Sequence, residues 1–228
     1  MSDPLPFPAD WESLLVLVPH PDDPEYGMAA AVAKWTAAGK TVRYSLACRG
    51  EAGIAGMPPE QAGPIRDAEQ RRAAAIVGVD PIEGVDFWDF PDSNIRNTPA
   101  LRAKIAAVIS EARPDVVLTI YGGERFGPDQ PNQRDHIEFA AAVTDAWDTC
   151  NDPPRWLFQS GLEPTHVETV DDYVDAAVDA LAAHDVYLSV LDPATPVREQ
   201  ARRVIDMTTP AQAGHRVAGF SLQRSTVA

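Results

Sequence analysis

Basic side chains are scarce in this 228-residue sequence: 19 Lys and Arg stand against 34 Asp and Glu, a formal net charge of −15. That excludes a nucleic-acid binder that tracks phosphates with a basic surface. Cysteine is almost absent, with only Cys48 and Cys150. No disulfide framework is implied, and a reducing cytoplasm is the expected compartment. No uncharged apolar run approaches the roughly 18 to 20 residues that span a bilayer, so neither a transmembrane helix nor a membrane partner is expected. The opening MSDPLPFPADWE is acidic and proline-rich, where a secretory signal needs a basic stretch and then an apolar one. No GxGxxG follows the first apolar run, so the dinucleotide fingerprint is missing too.

Apolar residues make up 45% of the chain, enough to fill a core. The run Leu14-Leu15-Val16-Leu17-Val18 reads as a strand buried on both faces, as in a parallel sheet. An alanine-rich stretch over 26–38 is helix-like and stops at Gly39, and 42–48 reads as the next strand. Together these predict a βαβ unit. Residues 49–64 are rich in Gly and Pro and are expected to form a long loop, followed by a helix over 65–77 closed by Gly78. A short strand is expected at 85–88. Thr98-Pro99 supplies an N-cap and a first-turn proline for a helix to 112. Strand 116–120, a polar loop over 122–134, a helix over 136–147, a strand at 156–158 and helices over 173–191 and 197–207 complete the pattern. The alternation predicts an α/β fold, a Rossmann-like three-layer α/β/α sandwich with a mostly parallel sheet. With no repeat and no clear linker, one domain over 1–228 is expected, with a core at about 12–190 and a helical extension at about 190–228.

In such folds ligands collect beyond the carboxyl ends of the strands. Pro19-His20-Pro21-Asp22-Asp23, the 49–64 loop and the 122–136 segment should therefore meet at one rim. They bring His20, Asp22 and Asp23 from the first loop and Asp135 and His136 from the third. Two histidines and one carboxylate form a common catalytic zinc set, because three protein ligands leave one position for water. His20, Asp23 and His136 suit those ligands, with Asp22 unligated beside them as a proton acceptor. The same His-Pro-Asp-Asp is also compatible with a plain Asx turn and helix cap. Core packing is the first explanation for the scattered tryptophans at 11, 35, 88, 147 and 156, with Trp88 or Phe126 as candidates to flank a substrate near the rim. Cys48 reads as a small buried apolar residue, and His166 and His215 as solvated.

These residues resemble a family, the GlcNAc-phosphatidylinositol de-N-acetylases, also called PIG-L or LmbE-like, which include the mycothiol- and bacillithiol-pathway deacetylases. The resemblance starts with Pro19-His20-Pro21-Asp22-Asp23-Pro24-Glu25-Tyr26-Gly27. It continues through Arg49-Gly50-Glu51-Ala52-Gly53, Arg66-Asp67-Ala68-Glu69, Ala73 to Val79, Phe90-Pro91-Asp92-Ser93, Arg113-Pro114-Asp115-Val116-Val117 and Asp135-His136, ending near Leu181-Ala182-Ala183-His184. It implies zinc, or another divalent transition metal, on His20, Asp23 and His136, and Asp22 as general base. It further implies Arg66 and Asp92 as contacts to the polar head of the substrate, with Glu51 orienting it. Asp135 and His184 are secondary candidates, and for His184 a site-closing, oligomer-contact or purely structural role stays open. Taken alone, Arg66 and Glu69 also read as an exposed helical charge pair, and Asp92 as a turn residue.

Where many relatives carry a second histidine, three residues before the ligand, this chain has Gln133. Gln133 can donate a hydrogen bond but cannot deliver a proton, so Asp22 would return the water's proton to the departing nitrogen. The implied activity is zinc-dependent removal of an acyl group, most simply acetyl, from an N-acylated small molecule such as an amino sugar. The alternatives are a zinc-dependent hydratase or lyase acting on an unsaturated acid, with Arg66 as carboxylate clamp, and a silent ligand-binding module. A small-molecule substrate, no nucleic acid and a homo-oligomer with the C-terminal helices at the contact are the expected partners.

Overall fold

A computed structural model describes residues 3–227. In chain order the elements begin with β1 (Leu5–Pro6), β2 (Ser13–Val18), α1 (Asp23–Gly27), α2 (Ala29–Ala37), β3 (Thr41–Leu46), α3 (Pro59–Ile76) and β4 (Val85–Phe87). Next come α4 (Pro99–Ala112), β5 (Val116–Thr119), β6 (Arg125–Gly127), β7 (Gln130–Pro131), α5 (Arg134–Thr149), β8 (Trp156–Ser160) and β9 (His166–Thr169). The last are α6 (Val174–Ala182), α7 (Asp185–Leu191), α8 (Val197–Thr208), β10 (Ala211–Gln212) and β11 (His215–Ser225).

The main sheet runs β1-β9-β11-β8-β5-β2-β3-β4. It is parallel from β8 through β4, whereas β11 pairs antiparallel with both β8 and β9. Alternation along β2 explains why the sheet is covered on both faces. Leu14, Val16 and Val18 enter one apolar cluster with residues of α2, α3, α6 and α8. Leu15 and Leu17 enter the other, with residues of α4 and α5. The three-layer α/β/α arrangement therefore follows from a strand with no solvent face.

Most predicted elements are present; the stretch over 173–191 is two helices, α6 and α7, β1 and β9 are strands the sequence analysis did not expect, and four further differences stand out. The alanine-rich stretch is two helices, broken where Met28 leaves helical geometry at φ −123°. The helix expected from 65 begins at Pro59, with proline in its first turn and Pro64 inside. Pro64 leaves the Glu60 carbonyl without its helical donor, and Glu60 is exposed to water, so the interruption is tolerated. The expected 122–134 loop contains the small β6–β7 hairpin. Finally, the helical C-terminal extension ends at α8, and His215–Ser225 is a strand wedged between β8 and β9. Its partly buried, mostly polar residues carry little apolar periodicity, so pairing rather than patterning makes it a strand. His166 lies in β9, while His215 is exposed and bonded to Asp171. No helix among the described residues is long and apolar enough to cross a membrane.

β2 is flanked by β3 on one side and β5 on the other. This is the point where the strand order reverses, and in such folds the ligand crevice lies beyond the carboxyl ends there.

Candidate active site

The turn after β2 is folded by its own side chains. The Asp23 carboxylate reaches back so that Oδ2 accepts the backbone N–H of His20 at 2.7 Å. Between them, Asp22 sits in the left-handed region at φ 82°, and its carbonyl accepts the N–H groups of Glu25 and Tyr26 that open α1. A buried aspartate in that conformation is strained and must be held by its surroundings. Gln70 of α3 holds it, its Oε1 accepting the Asp22 N–H at 2.8 Å.

His136 comes from the first turn of α5, which the loop after β5 delivers to the same crevice. Its Nδ1 lies 3.0 Å from Asn132 Oδ1, while its buried Nε2 makes no hydrogen bond. Nε2 faces Asp23 Oδ1 at 3.2 Å. His20 lies beside both, with Nδ1 3.4 Å from Asp23 Oδ2 and ring centroids 5.3 Å from His136. One donor atom from each of His20, Asp23 and His136 lies within 4.8 Å of the others. Asp135 and Asp92 stand 3.3 and 3.4 Å from His20 Nε2, and Asn132 fixes the His136 ring. Metal-binding imidazoles are characteristically oriented by such outer partners. An orphaned imidazole nitrogen aimed at a carboxylate, beside a second imidazole, fits a divalent transition cation by donor type and by count.

A second grouping, His20 with Cys48 and Asp92, also has donor atoms close together. It is better explained as support for His20. Asp92 Oδ1 stands 3.4 Å from its Nε2, and burial pushes the Cys48 thiol up to about 12, which keeps it neutral.

Asp22 is buried, and burial raises its carboxyl to about 6 against the opposing charge of Arg66. Arg66 itself is 3% exposed. Its guanidinium donates to Asp22 Oδ1 at 3.0 Å, to Pro21 O at 2.8 Å and to Gly50 O at 3.2 Å, and lies over the Tyr187 ring at 4.0 Å. A Cβ at Gly50, whose φ is 64°, would meet the Arg66 guanidinium at 2.2 Å. Arg66 therefore backs Asp22 from inside the protein, where the resemblance implies a substrate contact; its two terminal nitrogens bond internal partners, and its buried Nε bonds none.

Asp92 and Glu51 latch two loops to each other. Ala52 N–H donates to Asp92 Oδ2 at 2.7 Å, and Asp92 N–H donates to Glu51 Oε1 at 3.1 Å. The latch presents Asp92 Oδ1 to His20. Gln133 is exposed at the start of α5, and its side chain caps nothing. Asp135 also bonds Arg96, at 3.3 Å. His184 lies beneath the crevice, fully buried, with Nε2 3.2 Å from Glu25 Oε2. An oligomer contact through it is ruled out by that burial. Trp88 is likewise no rim residue, since it packs in the core against Phe139. Phe126 is at the surface, on the β6–β7 hairpin.

Asn132 and Gln70 are functional neighbours that sequence reasoning missed. Each had a signal. Asn132 precedes His136 by four residues, one helical turn. Arg66, Glu69, Gln70 and Ala73 fall at i, i+3, i+4 and i+7 on α3 and are all buried, so that polar face had to meet other polar groups.

Fold and site together define a class: Rossmann-like α/β proteins with a two-histidine, one-carboxylate cluster at the topological switch point. The model of the PIG-L family, GlcNAc-PI de-N-acetylase, matches residues 15–147. The chain belongs to that family. It is 28% identical over 186 residues to a probable N-acetyl-alpha-D-glucosaminyl L-malate deacetylase 2 of Bacillus anthracis, covering 75% of this chain and 79% of the relative. It is 28% identical over 216 residues to a 1D-myo-inositol 2-acetamido-2-deoxy-alpha-D-glucopyranoside deacetylase of Mycolicibacterium gilvum, with 75% of each chain covered. Among solved structures, N,N'-diacetylchitobiose deacetylase from Pyrococcus horikoshii superposes with a TM-score of 0.77 at 16% identity, over 94% of this chain and 84% of that one. The 4-carboxy-2-hydroxymuconate hydratase of Pseudomonas putida shares the fold at a TM-score of 0.68 and 18% identity, over 95% and 98%.

Proposed function

We propose that this protein is an N-deacetylase of the amide hydrolase class, acting on an N-acetylated amino sugar or its conjugate. The observation that carries this reading is the convergence of His20, Asp23 and the orphaned His136 Nε2 at the switch-point crevice. Curated relatives matched over three quarters of the chain, the two described above among them, are named as deacetylases of N-acetylglucosamine conjugates. These three residues would hold a divalent cation, with zinc the best match to two imidazoles and a carboxylate. Bound there, zinc would supply Lewis acidity toward the amide carbonyl and acidify a water.

Everything else falls to the chain. Asp22, next to Asp23 but not needed as a ligand, takes the proton of the attacking water and returns it to the departing amine nitrogen. Arg66 and Gln70 fix its carboxylate and its backbone. Asp135 and Asp92 keep the His20 ring in place, and Asn132 does so for His136. Gln133, exposed at the mouth, is a hydrogen-bond donor to the substrate. Asp92 and Glu51 shape the opposite lip.

The test is to measure metal content and then acetate and primary amine released from N-acetylglucosaminides, with unsaturated dicarboxylic acids in parallel. About one metal per chain with equal acetate and amine is expected. Loss of conjugated absorbance from the diacid, without acetate release from any amide, would overturn the reading in favour of a hydratase.

A further inference from the structure

We propose that Tyr187 of α7 is a positioning residue for Asp22: its ring lies over the Arg66 guanidinium and keeps that guanidinium on the Asp22 carboxylate. This deepens the N-deacetylase reading and rests on its assignment of Asp22 as the proton acceptor. Arg66 is what the ring acts on. Its terminal nitrogens reach Asp22 Oδ1, Pro21 O and Gly50 O, so it ties the turn after β2 to the 49–53 loop. Its buried Nε has no hydrogen-bond partner. A buried guanidinium short of one partner gains from an aromatic face, because the ring quadrupole attracts a cation without accepting a hydrogen bond, and does so more strongly away from water. The Tyr187 ring centroid lies 4.0 Å from Arg66 Cζ, well inside the roughly 6 Å range of that attraction.

The docking of α7 on α3 builds this stack. His184, which precedes α7, caps nothing with its side chain. Glu69 of α3 does so instead: its Oε1 accepts the Val186 N–H at 2.7 Å, and the Tyr187 N–H bonds the same carboxylate. Arg72, three residues on, donates to Ala183 O at 3.0 Å and to Asp185 Oδ1 at 2.8 Å. Arg66, Glu69 and Arg72 are successive i, i+3 steps along α3, so one helix holds both the guanidinium and the backbone that carries the ring. Gly50 and Gly53 make the room for it, since a Cβ on either would collide with Arg66 Nη1. Backbone confines the guanidinium at the 49–53 loop, and the ring confines it at α7.

Tyr187 is half-buried, and the charge of Asp22, together with burial, pushes its phenol up to about 12, so the ring stays neutral beside the base. Plain packing would be served as well by an aliphatic side chain as by an aromatic one. Holding Arg66 would not, because it is the π face that attracts the guanidinium. The hydroxyl is not required for that attraction.

The experiment measures kcat, KM and bound metal for Tyr187→Phe and Tyr187→Leu, by amine release from an N-acetylglucosaminide. Phe keeps the aromatic face, whereas Leu keeps only an apolar side chain. Tyr187→Leu is expected to lower kcat by about tenfold with KM and metal content unchanged, because a displaced base loses alignment without losing the substrate. Tyr187→Phe is expected to stay within about twofold of the unsubstituted protein. Tyr187→Met, equally apolar and more adaptable, replaces Tyr187→Leu if that variant does not fold. A kcat kept in Tyr187→Leu, a Tyr187→Phe as slow as Tyr187→Leu, or a loss confined to KM or to bound metal would each overturn the proposal. Crystal structures of the two variants separate this from failure of the N-deacetylase reading. If the unsubstituted protein cleaves no amide, an Arg66 withdrawn from Asp22 in Tyr187→Leu but still bonded to it in Tyr187→Phe supports the positioning role, and the same bond in both refutes it.

Discussion

His136 and His184 are both buried, and in each one ring nitrogen lies within hydrogen-bond distance of a side-chain oxygen while the other makes no hydrogen bond. Their surroundings separate them. The free nitrogen of His136 faces a carboxylate and a second imidazole at the crevice, where a cation can complete the set. His184 is closed in beneath it, 0% exposed, and burial holds its pKa down at about 4 while burial pushes Glu25 up. Both directions describe a neutral pair that helps wall the site from below. A buried histidine is therefore read from what its unpaired nitrogen faces, not from its burial.

The largest effect is expected where the two regions differ most. His136→Ala should abolish stoichiometric metal and lower turnover by on the order of 10³-fold or more, read by metal analysis and amine release. Full metal and turnover would erase the distinction. Asp22→Asn should keep the metal and lose about 10² to 10⁴ in kcat, the scale of a missing general base. Undiminished kcat would move that role elsewhere.

Gln70→Leu probes the boundary between the regions. It leaves the Asp22 N–H unsatisfied and should cost about 1–3 kcal/mol of stability, measured by denaturant unfolding. It should also lower kcat by about tenfold while KM and metal content stay put. Unchanged kcat would mean that Arg66 alone positions Asp22.

At neutral pH the smallest effect is expected for His184→Gln. Because the folded imidazole is depressed to about 4, the unfolded chain binds more protons between roughly pH 6.5 and 4. Stability is therefore complete above about 6.5 and is lost as pH falls toward the folded value, by at most about 3 kcal/mol. The groups acting on it are Glu25, Glu69, Asp22, Arg66 and Arg72. The variant should flatten that acid limb in thermal unfolding scans, and an unaltered limb would show that other groups set it.

Chemistry carried within a few residues was legible in the chain. The five-residue turn from Pro19 to Asp23 shows its histidine and two carboxylates directly, and the apolar runs of β2 and β5 announce a sheet buried on both faces. Direction was harder. Arg66 reads as a substrate contact, yet Gly50 and the Pro21 carbonyl draw it inward, a partnership across 16 and 45 residues. β11 escaped notice because its pairing partners, not its own alternation, make it a strand.

The amino-acid order by itself determined which groups were available: a strand with no wet face, a turn that folds on its own aspartate, and a helix-borne histidine with its asparagine one turn earlier. Only the tertiary structure decided which of them share a point in space. The reason is physical: hydrogen bonds inside a turn or a helix are set by spacing of a few residues. The meeting of His20 with His136, and of Asp22 with Gln70, depends on how β2, β5 and α3 pack, which no local pattern encodes.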